Sequence, residues 1–254
     1  GNPSFVSGVF ENTVLITEAN TGGNQVTLQV EDTVGPVTLA AGVSNGFTVF
    51  PGPLDHFEIS SIGSPQTAGS GFALTITAVD TNGNPVTSYT GAGTGVDFSL
   101  NNGDPAFNPA DSGPFTNGVV TVDPFTINTA DTDVRIRVVD NGGTQGTGVY
   151  GVDESGESNS FTVAPGAVTQ YVFSGSIPDP LISGETVEIT VQAQDAFGNR
   201  NFGYNETAQF TDADTTIADR IEYLTSQSAF ADNNITFTNG QWTGQIRTDT
   251  SIIK

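Results

Sequence analysis

Cysteine and methionine are absent from the 254 residues, and the chain has only one histidine, His56. Without cysteine it can form no disulfide, no thiolate metal site and no cysteine nucleophile. A single histidine also excludes a metal site built from several histidines. No run of residues approaches the roughly 18 apolar residues of a membrane-spanning helix, so we expect no membrane insertion in this segment.

Positive charge is scarce as well. Six Lys and Arg residues stand against 28 Asp and Glu residues, which gives a formal net charge of −22. Nucleic acids and anionic membrane surfaces bind clustered Lys and Arg, so the composition argues against both as partners. The chain has 31 Gly and 13 Pro residues without a periodic Gly, which excludes collagen and favours turn-rich β structure.

An internal repeat organises the chain. The segment Asn45–Gly52 reappears 114 residues later as Asn159–Gly166. In both copies a strand of alternating apolar residues follows and leads into an Asp-x-x-Gly-Asn turn, at Asp80–Asn84 and at Asp195–Asn199. A Phe-x-x-Gly landmark occurs three times, starting at Phe5, Phe115 and Phe237. Repetition at this period indicates an array of similar units.

The landmarks predict a complete unit over residues 51–164, the back half of a unit over residues 1–50 and the front part of another over residues 165–254. Short alternating segments without helical periodicity predict antiparallel β-sandwiches. The predicted strands of the complete unit are Phe57–Ile59, Phe72–Val79, Val96–Leu100, Val119–Ile127, Val134–Val139 and Phe161–Val163. One turn of helix is predicted within residues 217–228, where Ile217, Ile221 and Leu224 have helical spacing.

A family resemblance lies in one long pattern. The pattern is Phe47-Thr-Val-x-Pro-Gly-Pro-Leu-Asp-His-Phe57, then Ala68-Gly69, then Ala78-Val-Asp80-x-x-Gly83-Asn84-Pro-Val86-x-x-Tyr89-Thr-Gly91. It resembles the tandem immunoglobulin-like repeats of bacterial and archaeal surface proteins, including the invasin and intimin type. The second copy departs from it, with Arg200-Asn201 in place of Pro85-Val86. The resemblance implies an all-β fold of tandem immunoglobulin-like sandwiches and an extracellular, cell-surface location.

No residue pattern indicates catalysis, and we expect no enzyme. His56 stands one residue before a predicted strand and next to a unit junction, and Gln170 takes its place in the next copy, so a structural or surface role is predicted. Acidic pairs capable of acid–base work lie in segments predicted as exposed turns. These pairs are Asp131 with Asp133, Asp153 with Glu154 and Glu157, and Asp212 with Asp214.

Calcium is the one cofactor that the sequence leaves open, because this ion takes oxygen ligands gathered on loops. Asp80, Asn82 and Asn84 have the spacing of the first half of an EF-hand loop, but the twelfth position is Gly91 rather than Glu. The same residues equally predict a hairpin turn without metal.

A second candidate calcium site precedes the junction at Pro165-Gly166. Its ligands would be Asp153, Glu154 and Glu157. The equivalent stretch of the preceding unit has no carboxylate, so this site would belong to one junction only.

Four further side chains and two motifs have predicted roles. Arg135 and Arg137 are expected to pair with acidic neighbours across the sheet. Trp242 and Tyr204 could stack on a sugar, but aromatic residues in half-buried strands more often pack in the core. Asn205-Glu-Thr207 and Asn234-Ile-Thr236 match the N-glycosylation acceptor pattern.

The predicted function is structural: a repeat region of an extracellular surface protein or filament, as a stalk, spacer, surface layer or head-to-tail fibre. Its partners would be adjacent repeats or neighbouring copies of itself. The alternative is an adhesin module that binds a host or cell-surface glycan or protein.

Both ends of the sequence cut through a predicted sandwich. Either the chain is a stretch of a longer array, or residues 165–254 of one copy are completed by residues 1–50 of another. The Phe-x-x-Gly strand would be duplicated in such a pair, which favours the longer array.

Overall fold

A computed structural model describes residues 7, 9–20, 23, 25–31, 40–141, 154–179, 182, 185–210, 221–224 and 234–248. Within these residues the fold is all-β, with antiparallel sheets and no helix. None of the described segments is therefore a helix that could cross a membrane. The acidic residues Asp153, Asp212 and Asp214 and the apolar Ile217 lie outside the described residues.

Residues 25–31 and 40–50 contain a short pair of strands, Gln29–Val30 (β1) and Gly42–Val43 (β2). Residues 51–141 and 154–164, as far as the structure describes this stretch, contain ten strands: His56–Ile59 (β3), Gln66–Thr67 (β4), Phe72–Val79 (β5), Val96–Leu100 (β6), Phe107–Asn108 (β7), Val119–Ile127 (β8), Asp131–Val134 (β9), Ile136–Asp140 (β10), Ser155–Glu157 (β11) and Phe161–Ala164 (β12). The six strands predicted for this stretch are all present. The segment predicted as Val134–Val139 is interrupted at Arg135, between β9 and β10.

The strands of residues 51–164 form two groups. One is a four-stranded antiparallel sheet with the order β3-β5-β8-β7. The other comprises the antiparallel sheet β11-β10-β6 and the sheet β4-β12-β9, in which β4 runs parallel to β12. The short strands β4, β7 and β11 have two or three residues each, which is too few for an alternating pattern to show in the sequence.

One apolar core joins the two groups. Leu74 and Ile76 of β5 are completely buried together with Ile136 and Val138 of β10. Aromatic rings bridge the groups, with 5.0 Å between the ring centres of Phe98 on β6 and Phe125 on β8. Burying one such side chain contributes about 1.5–3 kcal/mol to folding. The alternation seen in the sequence thus marks the face of each strand that packs inward.

The described part of residues 165–248 contains one four-stranded sheet and one pair of strands. The strands are Gln170–Ser174 (β13), Thr186–Gln194 (β14), Thr207–Gln209 (β15), Ile221–Leu224 (β16), Asn234–Thr236 (β17) and Gln241–Thr248 (β18). One sheet has the order β13-β14-β18-β16, and β15 pairs with β17. The turn of helix predicted within residues 217–228 is wrong at residues 221–224, because β16 pairs antiparallel with β18 and that backbone ladder overrides the helical spacing of two apolar residues.

The repeat found in the sequence recurs as backbone pairing. Val26 bridges Phe47, and Val30 pairs with Gly42. The same partners, displaced by 108 residues on the first strand and 114 on the second, are Val134 with Phe161 and Val138 with Gly156. Residues 25–31 and 40–50 therefore form the counterpart of two pairings, that of β9 with β12 and that of β10 with β11.

The Phe-x-x-Gly landmarks that start at Phe115 and Phe237 each contain a two-residue hairpin turn. Asn117 and Gly118 both have positive φ, 51° and 78°, as do Asn239 and Gly240, at 51° and 70°. Asn-Gly is the sequence preferred where both central residues of a hairpin turn need positive φ. A Cβ atom at Gly118 would lie 2.6 Å from the carbonyl oxygen of Val86, so close packing requires glycine there as well.

Candidate functional site at the unit junctions

The Asp80 carboxylate ties its own turn to the chain that enters the unit. Its Oδ1 accepts the backbone N–H groups of Asn82 and Asn84, each at 2.9 Å. Its Oδ2 accepts the N–H of Gly52 at 2.8 Å, and the side-chain amide of Asn84 donates to both oxygens at 3.1 and 3.0 Å. The residue is only 2% exposed. A buried carboxylate is tolerated here because hydrogen-bond donors surround it.

These donors change the acidity of Asp80. Burial on its own raises the pKa of a carboxyl group, but the hydrogen bonds from Asn84, Gly52 and Asn82 outweigh it and lower the pKa of Asp80 to about 2. The group is therefore ionised at neutral pH, and its charge strengthens every hydrogen bond that it accepts.

The Asn84 side chain crosses from this unit to the preceding segment. Its Oδ1 accepts the backbone N–H of Ala19 at 2.8 Å, and its Nδ2 donates to the carbonyl oxygen of Thr17 at 2.8 Å. One amide thereby binds an N–H and a carbonyl of the same short segment. Both partners are backbone atoms, so the contact does not depend on which side chains that segment carries.

The second junction has the same construction. The Asp195 Oδ1 accepts the N–H groups of Phe197 and Asn199 at 2.9 Å, and its Oδ2 accepts the N–H of Gly166 at 2.8 Å. Asn199 accepts the N–H of Ala130 at 2.8 Å and donates to the carbonyl of Asn128 at 2.7 Å. Burial raises the pKa of Asp195, but the hydrogen bonds from Asn199 and Gly166 outweigh it, so the pKa lies below its ordinary value.

The two junctions differ at one turn position. Asn82 contributes its backbone N–H to the first turn, and its side chain is exposed. Its counterpart Phe197 packs its ring against Gly69 of the preceding unit, where any Cβ atom would collide with the ring and φ is +76°. The second junction also has a hydrogen bond of 2.9 Å from the Asn201 side chain to the Gly166 carbonyl. The second junction therefore adds an apolar contact and a further polar one.

The first candidate calcium site is occupied by hydrogen-bond donors. Asp80, Asn82 and Asn84 lie close together, as that site requires. The Asp80 oxygens that would have to bind the ion already accept hydrogen bonds from three backbone N–H groups and the Asn84 side-chain amide. This arrangement favours the plain turn. Among the described residues, no group of three or more His, Cys, Asp or Glu side chains could hold a metal ion.

Glu157 of the second calcium hypothesis is engaged elsewhere. It accepts hydrogen bonds from Arg137 at 2.6 Å and from Arg135 at 3.1 Å, and these lower its pKa. The predicted pairing of the two arginines with an acidic neighbour is therefore confirmed. Glu154 lies immediately before β11. Asp153, the third predicted calcium ligand, is outside the described residues, so calcium binding at this loop stays a prediction.

The other predicted side chains lie at the surface or in the core. The Nδ1 atom of His56, the first residue of β3, lies 2.9 Å from the Asp55 carboxylate, with both side chains more than 40% exposed. Trp242 packs against Phe210 with 5.4 Å between the ring centres, and Tyr204 packs against Phe237 at 5.4 Å. Partial burial of these two aromatic residues confirms their core placement.

The two glycosylation motifs stay predictions. Asn205 is exposed, and its amide accepts the N–H of Asn239 and donates to the carbonyl of Gly203. Asn234 is the first residue of β17 and is exposed.

Sequence reasoning missed the residues that cross the junctions. Asn84 was considered as a turn residue or a calcium ligand, and its contact with the preceding unit was not foreseen. A signal was present, because the second copy keeps Asp195 and Asn199 while it replaces Asn82 with Phe197. The retained pair makes the side-chain hydrogen bonds to the linker and the preceding unit that the two junctions have in common.

Comparison with known proteins adds little. No protein-family model matches the chain, and no curated protein matches it. Among solved structures it is similar to the crystal structure of Parabacteroides merdae β-glucuronidase with glycerol in the active site, at 14% identity and a TM-score of 0.22. The match covers 75% of this chain and 21% of that chain. With so low a TM-score, the likeness carries no argument about fold or activity.

Proposed function

We propose that this chain is a stretch of tandem immunoglobulin-like sandwiches that serves as the structural repeat region of an extracellular surface protein or filament. Residues 51–164 are one complete unit, residues 1–50 the back half of the preceding unit and residues 165–254 the front part of the next. The observation that carries the proposal is the construction that the two junctions share, each with one buried Asp and one bridging Asn.

Strand order supports the immunoglobulin-like assignment. Immunoglobulin constant domains have strands A, B, E and D in one sheet and C, F and G in the other. Residues 51–164 have β3-β5-β8-β7 in one sheet and β11-β10-β6 in the other, which is the same order along the chain. The sheet β13-β14-β18-β16 matches the first of these sheets.

The junctions explain how such an array would transmit force and keep its direction. A link of two residues, Pro-Gly, leaves little freedom between units, and the bridging Asn fixes the turn of one unit against the backbone of the unit before it. Since the bridge uses backbone atoms on the receiving side, units of different sequence can be joined in the same way. Repeats that contact only their neighbours build extended, semi-rigid rods.

Small-angle X-ray scattering of the intact chain tests the proposal. The wild type should scatter as one elongated shape, and the double variant Asn84→Ala, Asn199→Ala should scatter as an ensemble of bent shapes with a smaller radius of gyration. Asn205→Ala is the matched control, because this Asn also makes two turn hydrogen bonds but only within its own unit. Identical scattering of the wild type and the double variant would overturn the proposal.

A further inference from the structure

Gly69 lies where the 51–164 unit meets the unit that follows it. Its φ is +76°, in the left-handed region that glycine adopts without strain. The Gly69 N–H donates to the carbonyl oxygen of Ile127 at 2.8 Å, and the Ala68 N–H donates to that of Ala164 at 2.8 Å. The turn that carries Gly69 is therefore tied to the ends of β8 and β12, one strand from each group of its own unit.

Phe197 is held from the other side of the junction. Its backbone N–H donates to the Asp195 Oδ1 at 2.9 Å, and the Gly198 N–H donates to the Asp195 carbonyl oxygen at 3.2 Å. Asp195 is only 1% exposed. The Phe197 ring meets Gly69 so closely that a Cβ atom there would overlap ring atoms Cε2 and Cζ and lie 3.2 Å from Cδ2. The ring and a side chain at residue 69 would therefore need the same space.

A cleft of about 250 Å³ lies between the two units beside this ring. Its walls are residues 67–70 of one unit and, from the other, Gly166, Ala167, Thr169 and residues 195–197. Asn82, the counterpart of Phe197, is exposed in the 51–164 unit, so the later strands of such a unit do not cover this position. The ring of Phe197 thus faces the preceding unit and the cleft rather than the core of its own unit.

The contacts of Asn199 and Phe197 differ in what they require of the preceding unit. Asn199 binds the carbonyl of Asn128 and the N–H of Ala130, and backbone atoms of this kind are present in any sequence. Phe197 instead meets a position where only glycine leaves room for its ring. The ring is not needed for its own turn, because Asn82 supplies the same backbone N–H to the first turn.

We propose that Phe197 and Gly69 form a second contact that sets the orientation of the two units, and that this contact fits a preceding unit with a left-handed glycine at the position of Gly69. The inference deepens the tandem-array function proposed above and rests on it. A single amide bridge leaves the units free to tilt about it, and a second contact beside the bridge restricts that tilt. Phe197 is therefore a positioning residue whose partner must be glycine.

A distance measurement across the second junction of the intact chain tests this contact. Spin labels are attached through Glu58→Cys and Glu188→Cys, two exposed strand positions on either side of the junction. Gly69→Asn is the informative variant, because Asn tolerates the left-handed conformation but its side chain needs the space of the ring. Pulsed electron resonance should show a mean distance displaced by more than the width of the wild-type distribution.

A second substitution should reverse this displacement. With Phe197→Asn added to Gly69→Asn, the mean distance should return to the wild-type value, because the ring is removed and Asn is the residue that the first turn has at this position. Phe197→Asn alone should broaden the distribution about the same mean, since the Asn199 bridge is kept. A role in folding of the single turn would not give this rescue.

Gly103→Asn is the matched control. Gly103 belongs to the same unit and has a φ of +75°, but nothing lies within 4 Å of an added Cβ atom, so the distribution should be that of the wild type. An unchanged distribution for Gly69→Asn, or a displacement that persists after Phe197→Asn is added, would overturn the inference.

Failure of this inference can be told from failure of the proposed function. The scattering experiment responds to Asn84 and Asn199, which are kept in all of the variants used here. An unchanged distance for Gly69→Asn, together with bent shapes for the Asn84→Ala, Asn199→Ala double variant, would refute the contact of Phe197 with Gly69 alone.

Discussion

Residues 51–164 and 165–248 contain the same aromatic trio, but they bury it differently. Phe57, Tyr89 and Phe115 pack with 4.9 to 5.7 Å between ring centres, and Tyr171, Tyr204 and Phe237 pack with 5.1 to 6.1 Å. Phe57 is 2% exposed, whereas Tyr171 is 46% exposed. The three rings therefore pack together in both regions, and the first ring is buried only in residues 51–164.

Tyr89 of the first trio and its counterpart Tyr204 of the second show the same difference in burial. Burial and then the neighbouring Asp140 charge raise the pKa of Tyr89, whose hydroxyl donates to the Gly95 carbonyl and to Asp140 at 3.2 Å. For Tyr204, the hydrogen bond with Tyr171 comes first and burial second, and together they raise the pKa to about 12. The hydroxyl of Tyr89 is thus bonded to the sheet that contains β6 and β10, and that of Tyr204 is bonded to Tyr171 of β13.

The largest expected contrast is between Phe57→Ala and Tyr171→Ala. Truncating the buried Phe57 should lower the free energy of unfolding by about 4 kcal/mol, and truncating the half-exposed Tyr171 by about 1 kcal/mol. Urea unfolding can separate the units, because the only tryptophan, Trp242, reports on residues 165–248 and circular dichroism reports on the whole chain. Equal losses would mean that the two trios are equally buried in solution.

The second contrast is between Gly156 and Gly42, which have equivalent positions in two strand pairs. Gly156→Val should lower the stability of the 51–164 unit by about 3 kcal/mol, because the new side chain collides with the β3 backbone. Gly42→Val should change the free energy of unfolding of the dilute chain by less than about 0.5 kcal/mol, since nothing lies within 4 Å of the added Cβ. Thermal unfolding of both variants checks the pair, and a large loss at Gly42 would contradict the exposure of the β1–β2 hairpin.

The junction carboxylate should make stability depend on pH. The pKa of Asp80 is lowered from 3.8 to about 2, so its ionised form contributes about 2 kcal/mol above pH 4, and this contribution disappears as the pH falls towards 2. Asp80→Asn should remove that contribution at pH 7 and flatten the profile between pH 4 and pH 2. Urea unfolding at several pH values measures it, and a wild-type profile that matches the variant would contradict the account of the first junction.

The smallest contrast concerns single hydroxyl groups. Tyr89→Phe should cost about 1 kcal/mol, because it removes buried hydrogen bonds to Gly95 and Asp140. Tyr204→Phe should cost less than about 0.5 kcal/mol, because the bond that it removes, to Tyr171, is exposed. A larger cost at Tyr204 in the same urea titration would show that its hydroxyl is more buried than the structure places it.

Much of the strand content was predictable because it depends on local pattern. Alternation at Phe72–Val79 predicted a strand, and the strand is present. The Asn-Gly pair at residues 117–118 was noted only as part of a repeated landmark, although its sequence is typical of the hairpin turn that it forms. The pairing of Arg135 and Arg137 with an acidic neighbour across the sheet was also predicted, and the structure identifies that neighbour as Glu157.

The remaining features depend on contacts far along the chain. Strand β16 exists because β18 lies beside it, although its own apolar spacing is helical. The bridging role of Asn84 depends on the position of residues 17–19, and that position follows from the packing of two units. Neither could be read from a local pattern, although the retention of Asp and Asn in both turns pointed to a shared task.

The most direct test of the junction account is a distance measurement across the second junction. Spin labels placed by Glu58→Cys and Glu188→Cys, both exposed strand positions on opposite sides of the junction, would be the only thiol-linked probes in the chain. Pulsed electron resonance should give one narrow distance distribution for the wild type, and Asn199→Ala should broaden it while Asn205→Ala leaves it unchanged. A broad wild-type distribution, or one that Asn199→Ala does not alter, would contradict the claim that the bridging asparagine fixes neighbouring units.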